Sequence, residues 1–164
     1  MGFPGNRRPV RPLVRGSRQC SASRRRIVTE SVNRLRAAAS SAFVDSPVLF
    51  AYLFGSHAAG TATARSDIDV AVYCRPLPDL LALRLRMASV LTESSGLAGI
   101  EVVVLNGAPL ALAGRVCECH VPIYCVDRAA RARYESLINR RYREYKVHEE
   151  RIARDLLARM AVGI

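Results

Sequence analysis

Two aspartates stand one residue apart in a segment that otherwise has the composition of a buried β-strand. Residues 67–74 read DIDVAVYC. Because side chains alternate between the two faces of a strand, Asp67 and Asp69 lie on one face, while Ile68 and Val70 pack into the core. Two carboxylates a few ångströms apart repel each other unless a positive charge lies between them. The segment therefore predicts a cation site on one face of a sheet.

The residues before this segment suit a phosphate group. An apolar run ends at Gly55-Ser56, and a short helical turn is predicted from Ser56 to Gly60, in which His57 is a polar turn residue. Backbone N–H groups of such a turn and the Ser56 hydroxyl can donate to a phosphate, and Gly55 lets it approach closely. Carboxylate oxygens favour Mg²⁺, and metal ions bridged by carboxylates are a recurrent device for attack on phosphorus. The phosphate-binding turn and the pair of aspartates together predict phosphoryl chemistry.

The rest of the chain alternates between helical and strand patterns. Asp79 and Asp127 are natural N-caps, and Pro122 indicates a strand at a sheet edge. The predicted elements are helix 27–42, strand 48–54, strand 67–74, helix 80–94, strand 100–105, helix 109–117, strand 121–126 and a long terminal helix. Helical spacing places Tyr134, Ile138, Tyr142, Tyr145, Ile152 and Leu156 on one face of that last helix. This order predicts an α/β fold around a small sheet.

Composition indicates one domain behind a basic tail. At 164 residues and 50% hydrophobic, the chain can form one core without disulfide or metal support. Residues 1–26 hold eight arginines and no acidic residue, which predicts a disordered tail, and residues 27–164 form the domain. The net charge of +11 does not point to nucleic acid, because much of it belongs to the tail and no aromatic stacking platform accompanies the rest. No stretch approaches about 18 apolar residues, so we expect a cytoplasmic protein.

The cysteines predict neither a disulfide framework nor a usual zinc site. The chain has five of them, an odd number, and no CxxC pair. A cluster near the last strand offers thiol and imidazole groups that could ligate zinc, but its spacing is unusual for a zinc site. We therefore expect reduced, buried cysteines. That cluster is Cys117, Cys119, His120 and Cys125.

The pattern over residues 55–69 resembles the signature of the polymerase-β-type nucleotidyltransferase superfamily. A Gly-Ser pair is followed after ten residues by Asp-Ile-Asp. Arg65-Ser66 is similar to the two residues that usually precede the first aspartate of the signature. Within that superfamily the chain resembles the minimal nucleotidyltransferases, the MNT antitoxins of HEPN/MNT toxin–antitoxin pairs. The similarity continues through IEVVVLNGAPLALAGRV (residues 100–116) and a Tyr- and Arg-rich terminal helix, and it covers residues 27–160.

This resemblance implies a polymerase-β-like fold, with a small mixed sheet flanked by helices and a long C-terminal helix, and an enzyme that transfers AMP from ATP. Gly55 and Ser56 would hold the triphosphate, and Asp67 and Asp69 would bind Mg²⁺ and carry the catalysis. Arg65 and Ser66 would join the nucleotide-binding residues.

The third carboxylate of the family falls on Glu101, where the family more often has aspartate. Glu101 would complete the metal site and activate the acceptor hydroxyl. Glutamate reaches one methylene further, and a displacement of about 1 Å can lower a rate on the order of a hundredfold. Arg65 could pair with a phosphate or with Asp67.

The size of the chain favours a protein as acceptor. Small-molecule nucleotidyltransferases usually add a second helical domain that grips the substrate. Beyond the sheet and its covering helices, the length of this chain leaves only one long helix. The resemblance implies that AMP is added to a tyrosine of a partner HEPN ribonuclease toxin in a hetero-oligomer. Two alternatives stay open: an enzyme that modifies a small hydroxyl compound such as an aminoglycoside, and an antitoxin that binds its toxin with weak or no catalysis. The basic residues expected to contact the toxin are Arg131, Arg133, Arg140, Arg141 and Arg143.

Overall fold

The computed structural model describes residues 18–63 and 65–162. Five helices and four strands alternate along this part of the chain. The helices are α1 (Arg18–Ala42), α2 (Gly55–Ala58), α3 (Leu80–Ser95), α4 (Leu110–Glu118) and α5 (Arg128–Val162). The strands are β1 (Val48–Phe54), β2 (Ile68–Cys74), β3 (Ile100–Val104) and β4 (Val121–Cys125). The α/β order that the sequence predicts is confirmed.

The strands form one mixed sheet in the order β3-β2-β1-β4. β1 pairs antiparallel with β2 and β4, whereas β2 and β3 are parallel. Pro122 lies on the edge strand β4, where a proline is tolerated because one side of the strand has no ladder partner. The Arg36 Nε donates to the Pro122 carbonyl oxygen at 3.2 Å, so α1 also holds this edge.

Helices cover the two faces of the sheet. α1 and α3 lie on one face, where Leu35, Phe43 and Met87 join Val70 and Val72 in the larger core cluster. α4 and α5 lie on the other face, over a smaller cluster that contains Phe50 and Tyr52. The alternation of β2 follows from this arrangement, since Val70 and Val72 face the first cluster and Ala71 faces the second.

α4 and α5 pack closely because Gly114 has no side chain. A Cβ at this buried position would come closer than 3.0 Å to the ring of Tyr142. Tyr142 is itself buried, and Tyr134 and Ile138 also pack on this side of α5. The aromatic stripe that the sequence predicts on the terminal helix therefore packs inward along its first half.

Helix caps account for two of the boundaries. The Asp79 carboxylate accepts from the Ala82 N–H at 2.8 Å, and the Asp127 carboxylate accepts from the Ala130 N–H at the same distance. Both caps satisfy N–H groups that a helix start leaves without a partner.

Three expectations from the sequence differ from the structure or fall partly on residues that the structure does not describe. α1 begins at Arg18, nine residues before the predicted start at residue 27, and residues 1–17 of the predicted tail lie outside the described residues. Ile152, placed on the packed face of α5, is 54% exposed because the helix has by then run past the sheet. Cys119 is exposed rather than buried, whereas Cys74 and Cys117 are buried as expected.

No helix within the described ranges combines the length and the apolar character that crossing a bilayer requires.

Candidate functional site

Strand register brings two carboxylates side by side at one end of the sheet. Phe54, the last residue of β1, pairs with Asp69 of β2, and Asp69 pairs with Glu101 of β3. Residues paired in this way have their side chains on the same face of the sheet. The row Phe54–Asp69–Glu101 is therefore the base of the candidate site, and the α2 turn starts directly beside it.

Gly55 is the point at which this turn meets the carboxylates. Its φ angle is 67°, in the left-handed region that a residue with a side chain rarely adopts. A Cβ on Gly55 would also come closer than 3.0 Å to the Asp69 Oδ2 atom. Glycine is thus required here for two separate reasons, one of backbone conformation and one of space.

Asp67 lies just outside the strand on which the sequence placed it. β2 begins at Ile68, whose N–H donates to the Gly99 carbonyl oxygen at 2.8 Å. The Asp67 Oδ1 atom lies 3.2 Å from where a Cβ on Gly99 would be, so Asp67 packs against the turn that precedes β3. Asp67 and Glu101 are exposed, and Asp69 between them is half-buried.

The environment of Asp69 is electrostatically unfavourable for its charge. Burial raises the pKa of the Asp69 carboxyl above its ordinary value of 3.8, and the charges of Glu101 and Asp67 raise it further. Only His57 acts in the opposite direction. A cation bound beside these carboxylates would lower the pKa of Asp69, because it would favour the ionised form.

The donor set fits a hard cation, although the carboxylates are not gathered around one point. Asp67, Asp69 and Glu101 offer oxygen ligands, which Mg²⁺ prefers. Among the residues that the structure describes, no three His, Cys, Asp or Glu side chains lie close enough together to ligate one ion. The same holds for the cysteine cluster near β4, so neither the carboxylates nor the cysteines form a preassembled set of three metal ligands in the described ranges.

The α2 turn is stabilised by the loop that follows it. The Ser56 carbonyl oxygen accepts from the Thr61 N–H at 3.0 Å and from the Ala62 N–H at 3.1 Å. These bonds fold the loop back on the turn and leave Gly55 and Ser56 half-buried beside Asp69. The predicted turn therefore exists, beginning at Gly55 rather than at Ser56.

Arg65 and Ser66 have different environments. Arg65 is exposed, and its guanidinium pairs with no described residue, Asp67 included. The Ser66 hydroxyl accepts from the Thr63 N–H at 2.9 Å and lies 3.1 Å from the Thr63 hydroxyl. Ser66 thus shapes the loop before β2, while the Arg65 side chain is free to turn toward the site.

The structure adds His57 to the residues around the site. The sequence analysis treated it as a polar turn residue, but only 5% of it is exposed. A histidine after Gly-Ser carries no sequence signal of burial, because its burial depends on residues outside its own turn, such as Ser66, whose carbonyl oxygen lies 3.4 Å from the His57 Nε2 atom. The charge of this imidazole lowers the pKa of Asp69, so His57 is part of the electrostatic environment of the site.

Replacing Gly55 by alanine should displace the Asp69 carboxylate. Gly55→Ala and Gly60→Ala both place an alanine at a left-handed φ, near 67° and 70°, and each should lose about 1–2 kcal/mol of stability. An added Cβ at Gly60 meets nothing within 4 Å, so Gly60→Ala is the matched control. In a carboxyl NMR titration, we expect the Asp69 resonance to shift in Gly55→Ala alone. An unchanged Asp69 resonance in Gly55→Ala would contradict the packing described here.

Removing the charge of Asp69 should stabilise the fold. Because the pKa of Asp69 is raised in the folded chain, the folded state binds this proton more tightly than the unfolded state. The ionised carboxylate therefore lowers stability at pH 7, and this loss disappears as the pH falls toward 3.8. Asp69→Asn should raise the melting temperature at pH 7 by roughly 2–4 °C, with a smaller gain at acidic pH. Asp45→Asn, at an exposed turn, is the control; a lower melting temperature in Asp69→Asn at pH 7 would refute this account.

Comparison with solved structures identifies similar folds in toxin–antitoxin complexes. A "toxin-antitoxin with AMP-PNP" has a TM-score of 0.61 at 21% identity, over 77% of this chain and 98% of that one. The mutant pair MntA–HpeT, with two aspartates exchanged for glutamate, has a TM-score of 0.61 at 20% identity, with the same coverage. A tri-AMPylated Shewanella oneidensis HEPN toxin in complex with MNT antitoxin gives 0.56 at 18%, over 79% and 98%. At these identities the comparison shows the fold.

No curated protein matches the sequence significantly. The family model described as "Polymerase beta, Nucleotidyltransferase" matches residues 40–129, more than half of the chain. That range contains β1 to β4 and every candidate carboxylate. The chain belongs to the polymerase-β nucleotidyltransferase family.

Proposed function

We propose that this protein is an antitoxin that transfers AMP from ATP to a tyrosine hydroxyl of a partner HEPN-type toxin. The observation that carries the proposal is the convergence of Gly55, Asp69 and Glu101 at one end of the sheet in a nucleotidyltransferase domain. A turn suited to phosphate and a row of carboxylates suited to a cation are adjacent there, as nucleotidyl transfer requires.

In this proposal each residue has a defined task. Gly55 and Ser56 hold the triphosphate, with Arg65 able to reach a phosphate from the exposed loop and Ser66 holding that loop. The carboxylates that would hold Mg²⁺ are Asp67, Asp69 and Glu101. When bound, Mg²⁺ supplies positive charge against the triphosphate and against the like charges around Asp69.

The chemical step is an in-line displacement at the α-phosphorus. The acceptor hydroxyl oxygen forms the new P–O bond, and the bond from the α-phosphorus to the bridging oxygen of the β-phosphate breaks. Pyrophosphate leaves with that bonding pair, and AMP stays on the acceptor. Glu101 is exposed beside Asp69, where its carboxylate can accept the hydroxyl proton.

The size of the described body supports a protein acceptor. The chain offers the sheet, its covering helices and α5, with no second domain in the described part that could enclose a small substrate. The similar folds come from toxin–antitoxin complexes, one with AMP-PNP and one with an AMPylated toxin. A hetero-oligomer with a HEPN-type toxin agrees with both observations.

Label transfer is the direct test of this function. With ATP labelled on its α-phosphate and Mg²⁺, we expect label on the HEPN-type protein encoded beside this one. Asp69→Asn should lower the transfer on the order of a hundredfold or more, and Asp45→Asn should leave it unchanged. Both replacements remove one negative charge, but only Asp69 belongs to the row at the sheet end.

The other outcomes of this assay identify the alternative functions. A stable complex without label would make the protein a binding-only antitoxin, and Glu101→Asp would then test whether the longer side chain limits catalysis. Label on small hydroxyl compounds in the absence of any protein partner would make it a small-molecule enzyme.

The exposed arginines of α5 are the proposed contact with the toxin. Arg133, Arg140, Arg141 and Arg143 are exposed. Arg131 is not available in the same way, because its Nε lies 3.3 Å from Glu135 within the domain. The toxin surface that meets this helix should accordingly be acidic.

Charge reversal on α5 should weaken the complex. We expect Arg140→Glu with Arg141→Glu to lower affinity for the toxin by about tenfold or more, chiefly by slowing association. Arg84→Glu with Arg86→Glu makes the same charge change on exposed positions of α3 and should have little effect. Titration calorimetry at two salt concentrations would measure both pairs, and equal affinities for the two double variants would exclude α5 as the interface.

A further inference from the structure

His57 lies between the turn proposed to hold phosphate and the loop that leads to Asp67. It belongs to α2, and its Nε2 atom lies 3.4 Å from the Ser66 carbonyl oxygen. Ser66 directly precedes Asp67. One imidazole therefore connects the Gly55–Ser56 turn to the segment before Asp67, although ten residues separate Ser56 from Asp67 in sequence.

The contact determines which ring nitrogen carries the proton. A carbonyl oxygen only accepts hydrogen bonds, so Nε2 must be the donor. The Nδ1 atom is fully buried and has no hydrogen-bond partner among the described residues. A buried polar atom without a partner is destabilising, so a leucine here would suit the core better than histidine does. Histidine, unlike leucine, can donate a hydrogen bond to the Ser66 carbonyl oxygen.

Other hydrogen bonds hold the loop, but within the described part of the chain none of them links α2 to Ser66, the residue before Asp67. The Ser56 carbonyl fixes the loop as far as Thr61 and Ala62. Thr63 and Ser66 bond to each other within the loop. The His57 to Ser66 hydrogen bond thus connects α2 directly to the residue that precedes Asp67.

We propose that His57 is a positioning residue that sets the distance between the Gly55–Ser56 turn and Asp67. The expected effect on kcat rests on the proposed nucleotidyl transfer, whereas the expected effect on the position of the Ser66–Asp67 segment does not. Loss of the bond would let the Ser66–Asp67 segment move while Gly55 and Ser56 stay in place. A displacement of about 1 Å at a reacting group can lower the rate on the order of a hundredfold. We therefore expect kcat to fall and KM for ATP to change little.

Glutamine and asparagine separate the bond from the polarity of the side chain. A glutamine amide nitrogen reaches about as far as imidazole Nε2, whereas the asparagine amide stops near the position of Nδ1. His57→Gln should keep kcat within about threefold of the wild type, and His57→Asn should lower it by about tenfold or more. Equal kcat values for the two variants would overturn the proposal, because a general need for a polar or small side chain at residue 57 would not distinguish them.

Amide exchange gives a readout that does not depend on transfer activity. Hydrogen exchange of the peptide covering residues 65–68 should be faster in His57→Asn than in the wild type and unchanged in His57→Gln. If the wild type transfers no AMP to any acceptor while this exchange pattern is found, the proposed function fails and the positioning role stands. If transfer is normal in the wild type and the exchange of all three proteins is the same, the positioning role fails alone.

The tautomer of the wild-type protein tests the inference without any variant. Nitrogen-15 NMR of the imidazole should show His57 protonated at Nε2 and bare at Nδ1 at pH 7.5. A ring protonated at Nδ1 alone could not donate to Ser66 and would overturn the proposal, even if neither variant folds.

Discussion

The close approach of Gly55 to Asp69 is the constraint on which the candidate site depends. β1 pairs with β2 so that Phe54 lies opposite Asp69. The chain must then leave the sheet within one residue, and it does so at Gly55 with a φ of 67°. Any side chain at this position would occupy the space of the Asp69 carboxylate. Gly55 therefore lets the turn lie so close to the Asp69 carboxylate that a single phosphate group could span the two.

The same arrangement keeps like charges together at the expense of stability. Ile68 and Val70, on either side of Asp69, are 5% and 0% exposed, so the backbone of β2 cannot move to separate Asp69 from Glu101. The parallel pairing of β2 with β3 fixes Glu101 in the same way. Burial raises the pKa of Asp69, and the charges of Glu101 and Asp67 raise it further. Such unfavourable charge placement is common where a protein binds a ligand of opposite charge.

The sequence predicts those parts of the fold that local chemistry decides. Asp79 and Asp127 cap helices where expected, and Pro122 marks an edge strand, because each of these residues acts through its own backbone or its nearest neighbours. The spacing of Asp67 and Asp69 likewise predicts that they lie near each other, although Asp67 precedes the strand.

What the sequence does not predict depends on distant contacts. The burial of His57 depends on residues outside its turn, such as Ser66, and the closeness of Gly114 to Tyr142 results from two helices meeting on the sheet. The exposure of Ile152 follows from the length of α5 relative to the sheet, which helical periodicity alone cannot show.

The base of α5 is tied to the same strand that carries the site. Tyr52 lies two residues before Phe54 on the same face of β1, and its hydroxyl donates to Glu135 at 2.6 Å. Glu135 also lies 3.3 Å from Arg131 and 3.6 Å from His120. Burial and the charge of Glu135 raise the pKa of Tyr52, so the phenol stays a neutral donor. α5 is thus fixed to the domain at its first turns, and because Arg131 pairs with Glu135 there, it is less available to a partner than the exposed Arg133, Arg140 and Arg141.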